Sequence, residues 1–270
     1  MGLKVVTFNL RCQYDRVDGV NSFIHRAGMI LDKIEDEKPD VICFQEVVDG
    51  MRQFFKLHLN DYTVIGHGRN ADFAGEGVSI AFRNDTMELF EAQQFWLSPT
   101  PYVPASRFED CQSECPRTCV AVTLKYAHED IPIRFYAVHL DYIGEKVRAL
   151  GIRQILDKAA ELEKLSKCHN VILGDFNAEP GEEAIRLCDE FADYPIADVT
   201  KDTGITFHNF GRGTDDGRDG TKIDYIYVGK EISDSVSDVC LWKDKNNGIY
   251  LSDHYPVCCT INFLKKNEKI

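Results

Sequence analysis

Asn170-Val171-Ile172-Leu173-Gly174-Asp175-Phe176-Asn177 is the stretch that decides how this chain folds. Its apolar, β-branched run reads as a buried strand, and an acid and an amide follow where the strand ends. The same pattern recurs twice upstream. Lys4-Val5-Val6-Thr7-Phe8 leads into Asn9, and Asp40-Val41-Ile42-Cys43-Phe44 leads into Gln45-Glu46. Near the C-terminus, Ser252-Asp253-His254-Tyr255-Pro256 adds an acid beside an imidazole. Polar side chains at the ends of buried strands collect on the rim of a rigid sheet, where function is usually carried.

Working outward, Val20, Phe23, Ile24, Ala27, Ile30, Leu31 and Ile34 recur at helical spacing, and Pro39 follows them, so strand, helix and strand succeed one another from Lys4 to Glu46. A second such unit starts at Ile133-Arg134-Phe135-Tyr136-Ala137-Val138, which leads to His139. It continues through a helix from about Glu145 to Lys167 with Val147, Leu150, Ile155, Leu156, Ala159, Leu162 and Leu165 as its apolar face, and closes at Asp175. Between the units, Tyr62 to Leu124 is strand-rich, with Gly77-Val78-Ser79-Ile80-Ala81-Phe82 its clearest member. The glycine-rich segment 211–220 lacks the Gly-Lys-Ser/Thr ending of a phosphate-cradling loop and reads as a mobile flap, with a solvated connection as the alternative.

At 270 residues and 44% hydrophobic content the chain holds enough apolar material for a sizeable core. Motifs interleaved from end to end favour a single domain over 1–270. No stretch approaches the roughly 18 apolar residues of a membrane span, and Met1-Gly2-Leu3-Lys4 runs into a strand without a signal-type segment; the expectation is a cytoplasmic protein. Ten cysteines diluted over this length read as free thiols, with Cys43, Cys240, Cys258 and Cys259 expected as buried small hydrophobes. Cys111, Cys115 and Cys119 lack a fourth ligand for zinc. A formal charge of −13 works against tight, sequence-independent binding to duplex DNA, although Arg11, Arg83, Arg107 and Arg117 lie near the motifs and are candidates for a local basic cleft.

In order, Thr7-Phe8-Asn9-Leu10, Phe44-Gln45-Glu46-Val47, Val138-His139-Leu140-Asp141, Gly174-Asp175-Phe176-Asn177, Ile223-Asp224-Tyr225-Ile226 and Ser252-Asp253-His254-Tyr255-Pro256 resemble the endonuclease/exonuclease/phosphatase superfamily. The resemblance implies an α+β fold: two face-to-face mixed β-sheets flanked by helices, a four-layer, DNase I-like sandwich. It implies hydrolysis of a phosphoester with Mg²⁺, Mn²⁺ being the alternative. Mg²⁺ suits the residues independently, since it prefers carboxylate and carbonyl oxygens and keeps several waters. Glu46 is the first candidate ligand and Asp253 the second, with Asn9 contacting substrate, metal-bound water or the cation. The catalytic candidates are Asp175 to orient or deprotonate the attacking water, Asn177 to fix Asp175, His254 with Asp224 as its carboxylate partner, and His139 to face the phosphate. Arg117 offers a bidentate contact to phosphate. Trp96 offers a stacking wall, with core packing as its other reading.

Departures from family patterns narrow the substrate. Leu173 and Ala178 flank the Gly-Asp-Phe-Asn patch and Lys222-Ile223-Asp224-Tyr225 stands where inositol-polyphosphate phosphatases carry a Trp-Cys-Asp-Arg block. Abasic-site endonucleases use a tyrosine in the middle of the chain to meet the phosphate, whereas Val138-His139-Leu140 offers a histidine, a feature closer to deadenylase-like and uncharacterised bacterial members. On charge grounds the order of preference is a small phosphorylated molecule, a nucleotide, then a short single-stranded nucleic acid; the alternatives are a nuclease for single-stranded or abasic DNA and a non-catalytic protein that binds a phosphorylated ligand. A monomer without a membrane span is expected. Diester against monoester preference, and one metal ion against two, stay open.

Overall fold

The computed structural model describes residues 2–13, 15–108 and 111–263. Met1, with which the N-terminal reading begins, and residues 264–270 of the expected single domain lie outside the described residues. In chain order the elements are β1 (Leu3–Asn9), α1 (Asp15–Asp18), α2 (Phe23–Glu37), β2 (Val41–Val47), α3 (Asp49–His58), β3 (Tyr62–Ile65), β4 (Gly77–Arg83), β5 (Met87–Trp96), β6 (Thr118–Tyr126) and β7 (Ile133–His139). There follow α4 (Glu145–Leu165), β8 (His169–Asp175), α5 (Glu183–Glu190), β9 (Ile196–Asp198), β10 (Asp224–Gly229), β11 (Val236–Leu241), β12 (Lys245–Asn246), β13 (Ile249–Tyr250) and β14 (Val257–Ile261).

Two six-stranded sheets carry the fold, ordered β11-β14-β1-β2-β4-β3 and β5-β6-β7-β8-β10-β9. Both are mixed: β1 runs parallel to β2 and β7 parallel to β8, each pair joined through a helix, while the remaining pairings are antiparallel. Period-two alternation sorts each strand into two cores. Leu3, Val5, Val41, Cys43, Val78 and Ile80 of the first sheet meet Val120, Val122, Phe135, Val171, Leu173 and Ile226 of the second. The opposite faces are covered separately, Val6, Phe8, Ile42 and Phe44 by Phe23, Ile30 and Phe55 of α2 and α3, and Tyr136, Val138 and Ile172 by Ile152, Ile155 and Ile185 of α4 and α5. The result is the four-layer, DNase I-like sandwich expected from sequence. Strands covered on both faces must be apolar throughout, which is why β1, β2, β7 and β8 read as continuous hydrophobic runs.

Some local expectations change. Cys240 is exposed rather than buried, because β11 is an edge strand whose pairing with β14 is interrupted by an irregularity between Ser237 and Cys240. Val20 and Ile24 are 68% and 71% exposed; Val20 precedes α2 and Ile24 lies on its outer face. In the segment 211–220, Arg218 spans to Glu179 with two 2.8 Å contacts, and none of the segment's residues lines the cleft described below. All ten cysteines are free. No helix among the described residues is long and apolar enough to cross a membrane.

Candidate active site

The parallel pairs β1–β2 and β7–β8 end at one rim, so residues at or near their ends, Asn9, Gln45-Glu46, His139 and Asp175, are delivered together. Register makes this concrete: Asn9 lies opposite Gln45, His139 opposite Asp175, and Asp175 opposite Asp224. Backbone geometry then aims the side chains. Glu46, Asn177 and Arg11 have φ of 61°, 48° and 56°, a left-handed conformation that non-glycine residues adopt at a cost and that concentrates at functional sites.

The centre is one carboxylate oxygen. Asp175 Oδ2 lies 2.9 Å from Asn9 Nδ2, 3.5 Å from His139 Nε2 and 3.8 Å from His254 Nε2, while Asp175 Oδ1 accepts the Asn177 backbone N–H at 2.8 Å. Asn9 Nδ2 also donates to Glu46 Oε1 at 3.1 Å, and its own carbonyl accepts the Arg11 N–H. Glu46 Oε2 accepts the Cys12 N–H at 2.8 Å. His254 Nδ1 and Asp224 Oδ2 are 2.8 Å apart. Asp253 accepts from Ser252 Oγ and lies 3.7 Å from Arg11 Nε. The Asn177 amide, however, donates to the Leu140 carbonyl, so it braces the loop after β7 while its backbone fixes Asp175.

Burial sets the electrostatics. Asp175, 1% exposed, is pushed up to about 7 by burial and then by Asp224, against the pull of His254 and the hydrogen bonds from Asn177 and Asn9. For His254, burial opposes charging, but Asp224, Asp175 and Asp253 outweigh it and raise the imidazole to about 10. His139 moves the other way: burial, with Arg117 and Arg69 beside it, holds it well below the usual histidine range. Asp253 is raised by burial and by Glu46. Asp224 thus favours the imidazolium at His254 and burial favours the neutral ring at His139, and both rings face Asp175 Oδ2.

The residues fit a divalent cation. Glu46, Asp253 and Asp175 line one cleft, Glu46 lies close enough to Asp253 to raise it, and carboxylate oxygens are what hard cations take. A tighter cluster, Asp175, Asp224 and His254, has ligand atoms within 4.8 Å of one another, but His254 there shares its Nδ1 with Asp224, which favours the imidazolium, and an imidazolium has no lone pair for a metal. Glu46 and Asp253 therefore remain the better anchors.

These groups line a cleft of about 440 Å³ with Arg11, Arg69, Glu76, Arg117, Tyr142 and Phe207. Arg117 is 5% exposed; its Nε and one terminal nitrogen make no hydrogen bond, the nearest carboxylates being Asp141 at 3.8 Å and Glu76 at 3.9 Å. Trp96 does not line the cleft. It is buried, and its indole N–H donates to the Arg69 carbonyl, which makes it a support for the Arg69 loop. Of the arginines considered for a basic cleft, Arg11 and Arg117 line it, whereas Arg83 pairs with Asp85 and Arg107 donates to the Ser113 carbonyl. Sequence reading passes over Arg69 and Glu76, a bidentate pair at 2.6 and 3.1 Å. Both precede β4, which runs antiparallel to β2 with Gly77 opposite Val47, so the start of β4 reaches the rim where β2 ends.

A sequence model of the endonuclease/exonuclease/phosphatase family matches residues 6–254. Among solved structures, the chain is similar to an endonuclease/exonuclease/phosphatase from Bacteroides vulgatus, with a TM-score of 0.86, 24% identity, and 98% of this chain and 100% of that one covered. A functionally unknown conserved protein from Enterococcus faecalis superposes with a TM-score of 0.83 at 26% identity, covering 96% and 100%. A mannosyl-6-phosphatase from Bacteroides thetaiotaomicron gives 0.79 at 24% identity, covering 97% and 100%.

Proposed function

Since the chain belongs to the endonuclease/exonuclease/phosphatase family, we propose that it is a divalent-metal-dependent phosphoesterase, a hydrolase acting as one domain and as a monomer on a small phosphorylated molecule or nucleotide. The observation that carries this reading is the convergence of Asn9, His139 and His254 on the single oxygen Asp175 Oδ2. Glu46 and Asp253 would hold Mg²⁺, with Mn²⁺ as the other candidate, and Asn9 links Glu46 to Asp175 by donating to both from its amide nitrogen. When bound, the cation supplies Lewis-acid polarisation of a phosphoryl oxygen.

Asp175 is the general base. An acid at about 7 is half-deprotonated near neutral pH, where a base works best, and Asn177 and Asn9 hold both of its oxygens. His254, kept protonated by Asp224, faces the same oxygen and offers Nε2–H to the charge that develops on phosphorus. Neutral His139 offers a further donor, and Arg117 a guanidinium to the phosphoryl oxygens. The acidic composition favours small substrates over duplex nucleic acid.

A substrate panel tests the reading: sugar phosphates, nucleotides, inositol phosphates, single-stranded DNA and abasic duplex, each with Mg²⁺ and with EDTA. Metal-dependent turnover concentrated on a small phosphorylated molecule or nucleotide is the expected result. Turnover confined to nucleic acid would replace the substrate assignment, and binding of phosphorylated ligands with no turnover in any arm would replace the enzyme with a binding protein.

A further inference from the structure

Arg26 of α2 is the largest wholly buried side chain among the described residues, with 0% exposure. Leaving a guanidinium without water is expensive unless its donors are used. Here Nε donates to the Asn21 carbonyl at 2.5 Å, one terminal nitrogen to the Leu10 and Leu251 carbonyls at 2.8 and 2.6 Å, and the other to the Arg11 carbonyl at 3.3 Å. The Phe23 and Phe210 rings lie 5.9 and 5.7 Å from its central carbon. These acceptors are not arbitrary backbone. Leu10 and Arg11 directly follow Asn9, and Leu251 lies two residues before Asp253.

From this we propose that Arg26 is a positioning residue for the cation half of the site: its fork ties the segment after β1 to the segment before β14 and so holds Asn9 and Asp253 at the spacing a metal ion requires. The inference rests on the proposed phosphoesterase reading. Two effects of a buried cation compete. As a charge near Asp253 and Glu46, whose fields it feels, Arg26 opposes a second cation; as a four-carbonyl tie, it preorganises that cation's ligands. Supporting contacts around a metal site typically contribute about 10- to 100-fold in affinity. Lysine retains the charge but not the planar fork, so the two effects separate by substitution.

The experiment is Mn²⁺ titration by electron paramagnetic resonance of the full chain and of Arg26→Lys, Arg26→Met and Glu46→Gln, with cooperative thermal unfolding as the check of folding and steady-state kinetics alongside. The expected result is Mn²⁺ binding weakened about tenfold or more in both Arg26 variants, with the lost activity recovered at raised Mn²⁺. Wild-type affinity in folded Arg26→Lys, or tighter binding in Arg26→Met, would mean that charge dominates and would overturn the proposal. So would failure of both variants to fold, which would make Arg26 a folding element only. Absence of Mn²⁺ binding by the wild type, or binding unchanged by Glu46→Gln, would instead overturn the metal-site reading beneath it.

Discussion

At the scale of single residues, the chemistry depends on two histidines around one acid: burial lowers both, and only His254 has carboxylate neighbours, Asp224 first, that outweigh it. Asp175→Asn keeps the hydrogen bonds from Asn9 and Asn177 approachable but removes the base, so kcat is expected to fall by about 10²- to 10⁴-fold with Tm little changed; a fall below tenfold would remove Asp175 from that role. The His254–Asp224 pair makes a second prediction. Its folded value of about 10 lies above the unfolded value near 6.5, so the pair's contribution is fully present below 6.5 and is lost as pH rises from 6.5 towards 10. In EDTA, Tm is therefore expected to drop by several degrees across that window in the wild type and to flatten in Asp224→Asn. An unchanged slope in the variant would show that the imidazolium is not held by Asp224. Most of these residues were legible because each closes an apolar run. For Trp96 the sequence leaves a stacking wall and core packing both open, because a tryptophan beside prolines suits either; its place at the end of β5 buries the ring.

Elements explain why the convergence is possible. Parallel pairing aligns strand ends, and Gly174 permits it: a Cβ there would lie 1.9 Å from the Val138 carbonyl oxygen of the neighbouring strand. Gly174→Ala is expected to cost about 1–3 kcal/mol from overpacking and to reduce activity through displacement of Asp175; chemical denaturation with unchanged stability would contradict this. The two strand-helix-strand units were readable from period alone, because buried parallel strands and long amphipathic helices have the clearest patterns. Glu76 and Arg69 escaped because they precede their strand, and only the antiparallel pairing of β4 with β2, a long-range fact, brings a strand's beginning to that rim. Cys240 escaped for a related reason: nothing local distinguishes an edge strand from a covered one.

For the molecule as a whole, the four layers put a carboxylate-bearing site on a net-negative body. Loading with Mg²⁺ should therefore stabilise it. At a hundredfold excess over Kd the gain is about 2.7 kcal/mol, or roughly 5–11 °C in Tm at about 2–4 °C per kcal/mol, and Glu46→Gln should abolish most of it. With a formal charge of −13, the affinity for duplex DNA in fluorescence anisotropy should be weak at physiological salt; tight binding there would require a basic surface that the cleft's Arg11, Arg69 and Arg117 do not by themselves provide.

The most direct test is an anomalous difference map from crystals soaked in Mn²⁺. The account predicts a peak against the Glu46 carboxylate, within reach of Asp253, with His254 Nδ1 still on Asp224. A peak enclosed by Asp175, Asp224 and His254, with none at Glu46, would contradict it.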